Sequence, residues 1–412
     1  MLRPALLATL LALLLAPVAQ AAGPAATGRA IDREMDRAGR WSGALVVDLS
    51  NGVTLYSSRP DTQRIPASVN KLNTTAAALA RYGPEATFTT PLVATSAPDE
   101  TGVLAGDLWL RGAGDPTFGL TGVQALAASV ADLGTRRITG RVHADESLFD
   151  TLRGPHTYAA SAWVDPLSAV GYGRPRSASP AYSAAAALAT ALRREGVSVS
   201  RRVAVKPAPR GAIPLARAQS PTMAEIVAAA NVPSDNYVAE MLAKGMGARF
   251  GGAGTTRAGA TVIRTTIRRL GVRAQVVDGS GLSRWNRISP RQVVRLLTRM
   301  ADDPVFAGSL PVAGRSGTLV TRLRRTPAQD SCQAKTGSLI GVSALAGYCA
   351  ADGGARVAFA FLMNGVSTYW ARVLQDRMVA AIARYDGGSA PLRPVTPRPV
   401  EPVPASGGAG AP

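Results

Sequence analysis

The sequence predicts an α/β fold in which helices flank a largely antiparallel sheet, with a largely β domain inserted into it. Strand patterns lie near both ends of the chain and helical patterns lie between them, so one layer must pack on the other. Between residues 91 and 214 the pattern changes to short β-like segments separated by turn residues. This change predicts an insertion into an α/β domain that comprises residues 22–90 and 215–386.

The first predicted element is a hairpin over residues 44–56, because Asn51-Gly52 separates two apolar runs. An alanine-rich helix is predicted over 68–82, with Pro66 before it and Gly83 after it. The insertion has β-like segments at 108–111, 138–144 and 197–205 and helices at 123–133 and 184–194. Residues 152–183 have no assignable pattern. Further helices are predicted at 222–231, 237–250, 258–270, 290–302 and 369–385, and a strand at 357–363.

Residues 1–21 have the pattern of a secretory signal peptide. Arg3 precedes an apolar run over 6–15, and Ala19-Gln20-Ala21 supplies small residues for cleavage. The run is short for a membrane span, which needs about 20 apolar residues, although a membrane anchor is the alternative. We therefore expect an exported protein, periplasmic or extracellular. Residues 387–412 are rich in proline, glycine and alanine, which predicts a disordered tail.

The net charge is +19, and arginine dominates it: only four of the 46 basic residues are lysines, which leaves 42 arginines. Much of this charge can simply be solvated at the surface. It can also attract an anionic wall polymer or membrane surface. Nucleic acid is not an expected partner, because export removes the chain from it.

Histidine and cysteine are scarce. Neither His143 nor His156 lies beside a plausible nucleophile, which disfavours a Ser-His-Asp relay and a histidine-rich metal site. We expect no metal or organic cofactor, and a hydrolase would need a lysine or carboxylate base. Cys332 and Cys349 are equidistant from a turn at 339–341, so antiparallel pairing would place them opposite each other. This spacing suits a disulfide, with two free thiols as the alternative.

Ser68-Val69-Asn70-Lys71 places a serine and a lysine three residues apart, on one face of a helix. The lysine amine could take the proton of the serine hydroxyl, and the helix N-terminus would favour developing negative charge. This role requires a neutral lysine, whose pKa burial or a second cation would lower. Taken alone, the same pattern fits a capping serine and a surface lysine.

Two further segments have the same ambiguity. In Ser234-Asp235-Asn236, a serine could relay protons and an asparagine could hold a substrate amide, or the segment could be an ordinary helix cap. In Lys335-Thr336-Gly337, a cation and a hydroxyl could bind a terminal carboxylate on a strand that an extended peptide can approach. The alternative is a strand end with an exposed lysine. Together the three segments contain two of only four lysines, and arginine cannot replace lysine as a base.

The three segments, in this order, form the set shared by β-lactamases and penicillin-binding proteins. The chain resembles the low-molecular-mass class C penicillin-binding proteins, which are D-alanyl-D-alanine carboxypeptidases and endopeptidases. The resemblance extends from about residue 41 to 385 and includes segments 65–72, 112–116, 234–242, 278–284, 317–319 and 335–339. Segment 174–183 departs from the family pattern, so accessory substrate contacts in the insertion stay open.

The resemblance implies a penicillin-binding-protein/β-lactamase-like serine-peptidase domain, split by an insertion after the first motif. It also implies a role for each motif residue. In the chemical step, Ser68 attacks the D-Ala-D-Ala carbonyl, Lys71 is the base and Ser234 relays protons. In substrate binding, Asn236 holds the substrate amide, Lys335 and Thr336 bind the terminal carboxylate beside Gly337, and the N–H groups of Ser68 and Ser338 form the oxyanion hole.

The expected substrates are peptidoglycan stem peptides, with β-lactam antibiotics as covalent inhibitors. Two alternatives are weighed. A β-lactamase has the same three motifs, but class A enzymes lack such an insertion. An inactive cell-wall-binding protein is disfavoured because every candidate catalytic side chain is present.

Overall fold

A computed structural model describes residues 22–155, 163–174 and 176–387. The predicted signal segment 1–21 lies outside the described residues, as do residues 388–412 of the predicted tail and His156. The helices are α1 (Pro24–Arg37), α2 (Lys71–Tyr82), α3 (Leu120–Asp132), α4 (Pro180–Arg194), α5 (Met223–Asn231), α6 (Asn236–Phe250), α7 (Thr256–Arg269), α8 (Pro290–Arg299), α9 (Pro304–Gly308) and α10 (Thr368–Ala383). The strands are β1 (Gly43–Asp48), β2 (Thr54–Ser58), β3 (Thr89–Ala94), β4 (Val103–Leu104), β5 (Leu108–Arg111), β6 (Arg137–Ile138), β7 (Val142–Asp145), β8 (Val203–Val205), β9 (Ile213–Gln219), β10 (Cys332–Leu339), β11 (Val342–Ala350) and β12 (Arg356–Asn364).

The main sheet has the strand order β10-β11-β12-β1-β2, and all its neighbours are antiparallel. Its side chains alternate between two cores, as β12 illustrates. Phe359 and Phe361 pack with α1 and α10, whereas Ala360 and Leu362 pack with the helices on the opposite face. Because both faces are covered, the sheet is a rigid central layer, and the predicted α/β arrangement with an antiparallel sheet is confirmed.

The β10–β11 hairpin has the predicted register. Cys332 pairs with Cys349, and the ladder closes at Leu339 opposite Val342. The two cysteines form a disulfide with an S–S distance of 2.07 Å. The equal spacing of the cysteines from the turn therefore predicted the bond correctly.

A second five-stranded sheet lies within the predicted insertion, in the order β8-β7-β5-β3-β9. Strands β5, β7 and β8 are parallel, and β3 is antiparallel to both β5 and β9. Helices α3 and α4 pack on this sheet around a third core. Thr89 pairs with Gln219, so the chain enters and leaves this unit side by side. The boundaries at residues 91 and 214 stay a prediction, and the sheet extends slightly beyond both.

Three local features differ from the sequence reading. Helix α1 was not predicted, because its buried stripe contains only Thr27, Ile31 and Met35. Strand β9 was not predicted because it contains Pro214, which an edge strand tolerates. Ser68 lies in a 3₁₀ turn, Ala67–Asn70, one turn before α2 rather than within it.

The two ends of the described chain meet. Ala22 N donates to Arg384 O at 2.8 Å, and Asp386 N donates to Ala22 O at 3.1 Å. Among the described residues, no helix is both long and apolar enough to cross a bilayer.

Candidate active site

Ser68 lies on a tightly held turn at the N-terminal end of α2. The preceding residue, Ala67, is fully buried and has φ of 47°, a left-handed conformation that a residue with a Cβ adopts at some energetic cost. Gly281 packs against this turn so closely that a Cβ there would lie 2.0 Å from Ala67 O. The surrounding packing thus fixes the turn and leaves the Ser68 side chain partly exposed.

Lys71 is fully buried beneath Ser68. Its Nζ donates to Ser68 Oγ at 2.9 Å, to Asn236 Oδ1 at 2.7 Å and to Ser280 O at 2.9 Å. These three acceptors suit an ammonium group. A neutral amine can keep two of the contacts as donor and accept the Ser68 hydroxyl proton in the third.

The electrostatics of Lys71 favour such a change of protonation. Burial lowers the pKa of Lys71 to about 8, although the nearby carboxylates of Glu240, Asp278 and Asp235 act in the opposite direction. A lysine with this pKa is neutral in roughly a tenth of molecules at about pH 7, far more than a lysine with an ordinary pKa of about 10.4. It can therefore act as a general base, which an ordinary surface lysine cannot.

The Ser234-Asp235-Asn236 segment begins α6 and serves partly as a helix cap. Asp235 is the N-cap residue, and its side chain accepts from Val238 N at 3.0 Å. Ser234 has φ of 64°, so the chain turns sharply before the helix. This turn brings Asn236 to Lys71, but the Ser234 hydroxyl forms no hydrogen bond with any described residue.

The Lys335-Thr336-Gly337 segment lies on β10, the edge strand of the main sheet. Lys335 is fully buried, and its Nζ donates to Thr336 O at 2.9 Å. Burial, with the Lys71 cation nearby, lowers the pKa of Lys335 well below its ordinary value. This lysine is not the exposed residue of a strand end, which was the alternative interpretation of the segment.

Strand β10 packs directly against the Ala67–Asn70 turn, which contains the predicted nucleophile Ser68 (the nucleophile turn). A Cβ on Gly337 would lie 2.6 Å from Pro66 O and 3.1 Å from Ser68 N. Ser338, the next residue, is exposed and its Oγ accepts from Arg372 Nη2 at 3.1 Å. The absence of a side chain at Gly337 therefore allows the strand and the turn to approach each other.

The predicted insertion also contacts the site. Asn236 Nδ2 donates to Trp163 O at 2.8 Å. Arg174 pairs with Asp235, with Nη1 at 3.0 Å from Oδ1, and lies 5.3 Å from the centre of the Tyr237 ring. Residues 163–174 thus cover the start of α6.

The sequence and the fold are both similar to those of known proteins. Residues 30–169 and 167–385 match the profile of the D-Ala-D-Ala carboxypeptidase 3 (S13) family. The chain belongs to this S13 family. It is a serine-type D-Ala-D-Ala carboxypeptidase, and its resemblance to low-molecular-mass class C penicillin-binding proteins is confirmed.

Two curated relatives of the S13 enzyme are similar over most of their length. It is 33% identical to the D-alanyl-D-alanine carboxypeptidase of Actinomadura sp. (strain R39), over 86% of this chain and 83% of the relative. It is 32% identical to the carboxypeptidase DacB of Mycolicibacterium smegmatis, over 77% of this chain and 75% of the relative. The fold is similar to that of penicillin binding protein 4 (dacB) from Haemophilus influenzae, with a TM-score of 0.74 and 20% identity over 84% of this chain and 97% of that one.

Several residues of the S13 site had no assigned role at the sequence level. Ser280 supplies a carbonyl to Lys71, and Thr318 shares a hydroxyl hydrogen bond of 2.8 Å with Thr336. Both lie in segments that the family resemblance includes, 278–284 and 317–319, which was the signal available. Glu240 and Asp278 are fully buried carboxylates beside Lys71, and no spacing in the sequence indicates their burial.

Proposed function

We propose that this protein removes the terminal D-alanine of peptidoglycan stem peptides through an acyl-enzyme on Ser68. The observation that carries the proposal is the 2.9 Å contact between a fully buried lysine amine, Lys71 Nζ, and Ser68 Oγ. Serine needs a nearby base to become a nucleophile. The neutral amine of Lys71 is that base.

The reaction proceeds in two steps, acylation of Ser68 and deacylation by water. In acylation, Ser68 Oγ bonds to the penultimate D-Ala carbonyl carbon, its proton passes to Lys71, and the peptide C–N bond breaks as the leaving D-alanine amine takes a proton. The Ser234 hydroxyl relays that proton from Lys71, which returns to the neutral amine. In deacylation, water attacks the ester carbonyl carbon and gives a proton to Lys71, the ester C–O bond breaks to release the acid product, and Lys71 returns the proton to Ser68 Oγ. The N–H groups of Ser68 and Ser338 hold the oxyanion of each tetrahedral intermediate.

Substrate orientation follows from the buried amine of Lys335 on β10, whose protonated form a bound carboxylate would favour. Among the described residues, Lys335 Nζ has one hydrogen-bond acceptor, Thr336 O, so it retains donors for a ligand carboxylate. The Thr336 hydroxyl completes the carboxylate site, and the peptide adds to the β10 edge. Asn236 Nδ2 then exchanges Trp163 O for the substrate amide oxygen.

Penicillin acylates the same serine, because its strained amide presents a carbonyl and a carboxylate to the same groups. A β-lactam complex exists of the Haemophilus influenzae protein that has a similar fold, which supports this proposal. The enzyme also acts as an endopeptidase on cross-linked stem peptides, and export by its N-terminal signal brings it to its substrate.

The test is intact-protein mass spectrometry after incubation with benzylpenicillin. Wild type should gain the mass of one drug molecule and Ser68→Ala should not. Ser57→Ala, which changes an exposed serine on β2, is the matched control and should be acylated like wild type. D-alanine release from a peptide that ends in D-Ala-D-Ala should follow the same order.

Two results would contradict the proposal. No adduct and no loss of drug would indicate a protein without this chemistry. Rapid drug hydrolysis without a persistent adduct would indicate a β-lactamase.

A further inference from the structure

Glu240 is a fully buried carboxylate one turn along α6 from Asn236. Its two oxygens are divided between consecutive backbone donors: Oε2 accepts from Gly279 N at 3.2 Å and Oε1 accepts from Ser280 N at 2.8 Å. A carboxylate is needed for this pattern, because an amide side chain would place an NH₂ group against one of the two N–H groups.

The backbone that Glu240 holds is also the backbone that holds the base. Ser280 O accepts from Lys71 Nζ at 2.9 Å, and Gly279 O accepts from Thr74 Oγ1 at 2.6 Å. A Cβ on Gly279 would lie 2.3 Å from Ala239 O, so the segment has no room to move toward α6. The Gly279–Ser280 peptide is therefore clamped between α6 and α2.

Asp278 fixes the other side of the same loop. Its Oδ1 accepts from Gly281 N at 2.8 Å and its Oδ2 accepts from Ser283 N at 2.6 Å. Gly281 in turn packs against Ala67 O, directly behind the nucleophile turn. The loop thus contacts both reacting partners, Lys71 through a carbonyl and Ser68 through the preceding residue.

We propose that Glu240 is a positioning residue for acylation: through the Gly279–Ser280 peptide, its carboxylate holds the Lys71 amine against Ser68. The inference rests on the proposed function, in which Lys71 is the base. Glu240 does not contact the reacting atoms and acts only through the loop and through its charge.

Glu240 lies among titratable groups on the elements around it, of which Asp235 is partly exposed and the others are buried. These groups are Lys71 on α2, Asp278 on the loop, Lys244 on α6, Lys335 on β10 and Asp235 before α6. Burial, with the neighbouring Asp278, raises the pKa of Glu240, and the hydrogen bonds from Gly279 N and Ser280 N oppose that rise and favour the carboxylate. Where Glu240 is ionised it favours protonated Lys71, so removing its charge lowers the pKa of Lys71 further.

The experiment compares benzylpenicillin acylation rates across pH for four proteins: wild type, Glu240→Gln, Thr74→Val and the control Glu85→Gln. Thr74→Val removes the hydroxyl that holds Gly279 O and changes no charge. It should slow acylation about tenfold or more, since a misplacement of about 1 Å can lower a rate on the order of 100-fold. Its pH midpoint should stay at that of wild type.

Glu240→Gln should slow acylation similarly and also move the midpoint of the rising limb to lower pH. Glu85 is exposed at the end of α2, and its variant should match wild type in both rate and midpoint. Far-UV circular dichroism establishes that each variant is folded.

The outcomes separate the inference from the proposed function. If wild type is not acylated at Ser68, the proposed function is wrong. If wild type is acylated but folded Glu240→Gln reacts within about twofold of it, or is slower with an unmoved midpoint, the role of Glu240 is wrong. If Glu240→Gln does not fold, Thr74→Val decides: a slower rate supports positioning by the loop, and a wild-type rate overturns it.

Discussion

Lys71 is costly to bury, and in the proposed mechanism it is also the base that activates Ser68. Burial removes water from its amine, and the replacement contacts are two neutral oxygens and the Ser68 hydroxyl. Among the residues that the structure describes, no carboxylate contacts the amine directly, so the charged form is only partly compensated. The same burial keeps part of the amine neutral, and so able to accept a proton, at pH values near about 8.

The acylation rate should rise with pH through about 8 and then level off. Protonated Lys71 cannot accept the Ser68 proton, and its pKa is lowered to about 8, so the active fraction changes about tenfold per pH unit below that value. Stopped-flow measurement with a chromogenic β-lactam from about pH 6 to about pH 9.5 checks this. A rate that stays flat through this range would contradict a lysine base.

Lys71→Arg should lower acylation by a factor on the order of 10² to 10⁴, because a guanidinium keeps its proton. The rising limb of the profile should disappear as well. Lys206→Arg, an exposed lysine in the insertion, serves as the matched control and should leave the profile unchanged.

At the scale of elements, α6 is positioned by its cap. Asp235→Ala should remove the acceptor of Val238 N, destabilise the protein by about 1 kcal/mol and slow acylation, since Asn236 is the next residue. Thr255→Ala removes an equivalent cap from α7, where Thr255 accepts from Ala258 N at 3.0 Å. It should lower stability to urea similarly and leave acylation at the wild-type rate. Equal acylation in both variants would mean that the cap does not position the site.

The contact between β10 and the nucleophile turn leads to a second expectation at this scale. Gly337→Ala should force the strand away from Pro66 O and slow acylation by about tenfold or more. Gly308→Ala, at a glycine with nothing within 4 Å of the added Cβ, should keep full activity. Acylation kinetics of the two variants at one pH distinguish them, and an active Gly337→Ala would show that the close approach is not required.

The features that could be predicted depend on the spacing of residues that are close in the sequence. The disulfide between Cys332 and Cys349 follows from hairpin symmetry, and the S-x-x-K pair follows from helix geometry. Long-range packing explains the rest. Glu240 lies in the family-like segment 234–242, but nothing in that segment indicates that its carboxylate is buried, and Trp163 lies in a segment without a pattern. Only the assembled fold brings these two residues to the site.

For the molecule as a whole, the disulfide stabilises without contacting the site, because Cys332 lies at the opposite end of β10 from Ser338. Replacing both cysteines by alanine should lower the free energy of unfolding by about 3 kcal/mol, given a sequence separation of 17. Acylation below the melting temperature should not change. Calorimetry on the variant and on reduced wild type measures the effect, and loss of acylation in a folded variant would contradict it.

A buried lysine on α6 pairs with the predicted insertion. Lys244 Nζ, fully buried, lies 2.6 Å from Asp150 Oδ1 and 2.8 Å from Leu152 O. Asp150→Ala should destabilise the protein by about 3 kcal/mol, because it leaves a buried cation without its partner. Asp302→Ala breaks an exposed pair with Arg356 and should change stability by less than about 1 kcal/mol. Thermal unfolding of the two variants tests the difference, and equal melting temperatures would contradict it.

The meeting of Ala22 with Arg384 and Asp386 has a topological consequence. The peptidase could be circularly permuted: a short linker would join its two ends without crossing the surface, and new termini could be opened at an exposed turn such as Gly211. In the natural order, whatever is attached before residue 22 and after residue 387 leaves from one point. A tether at either end would therefore attach to the peptidase at the same place on its surface.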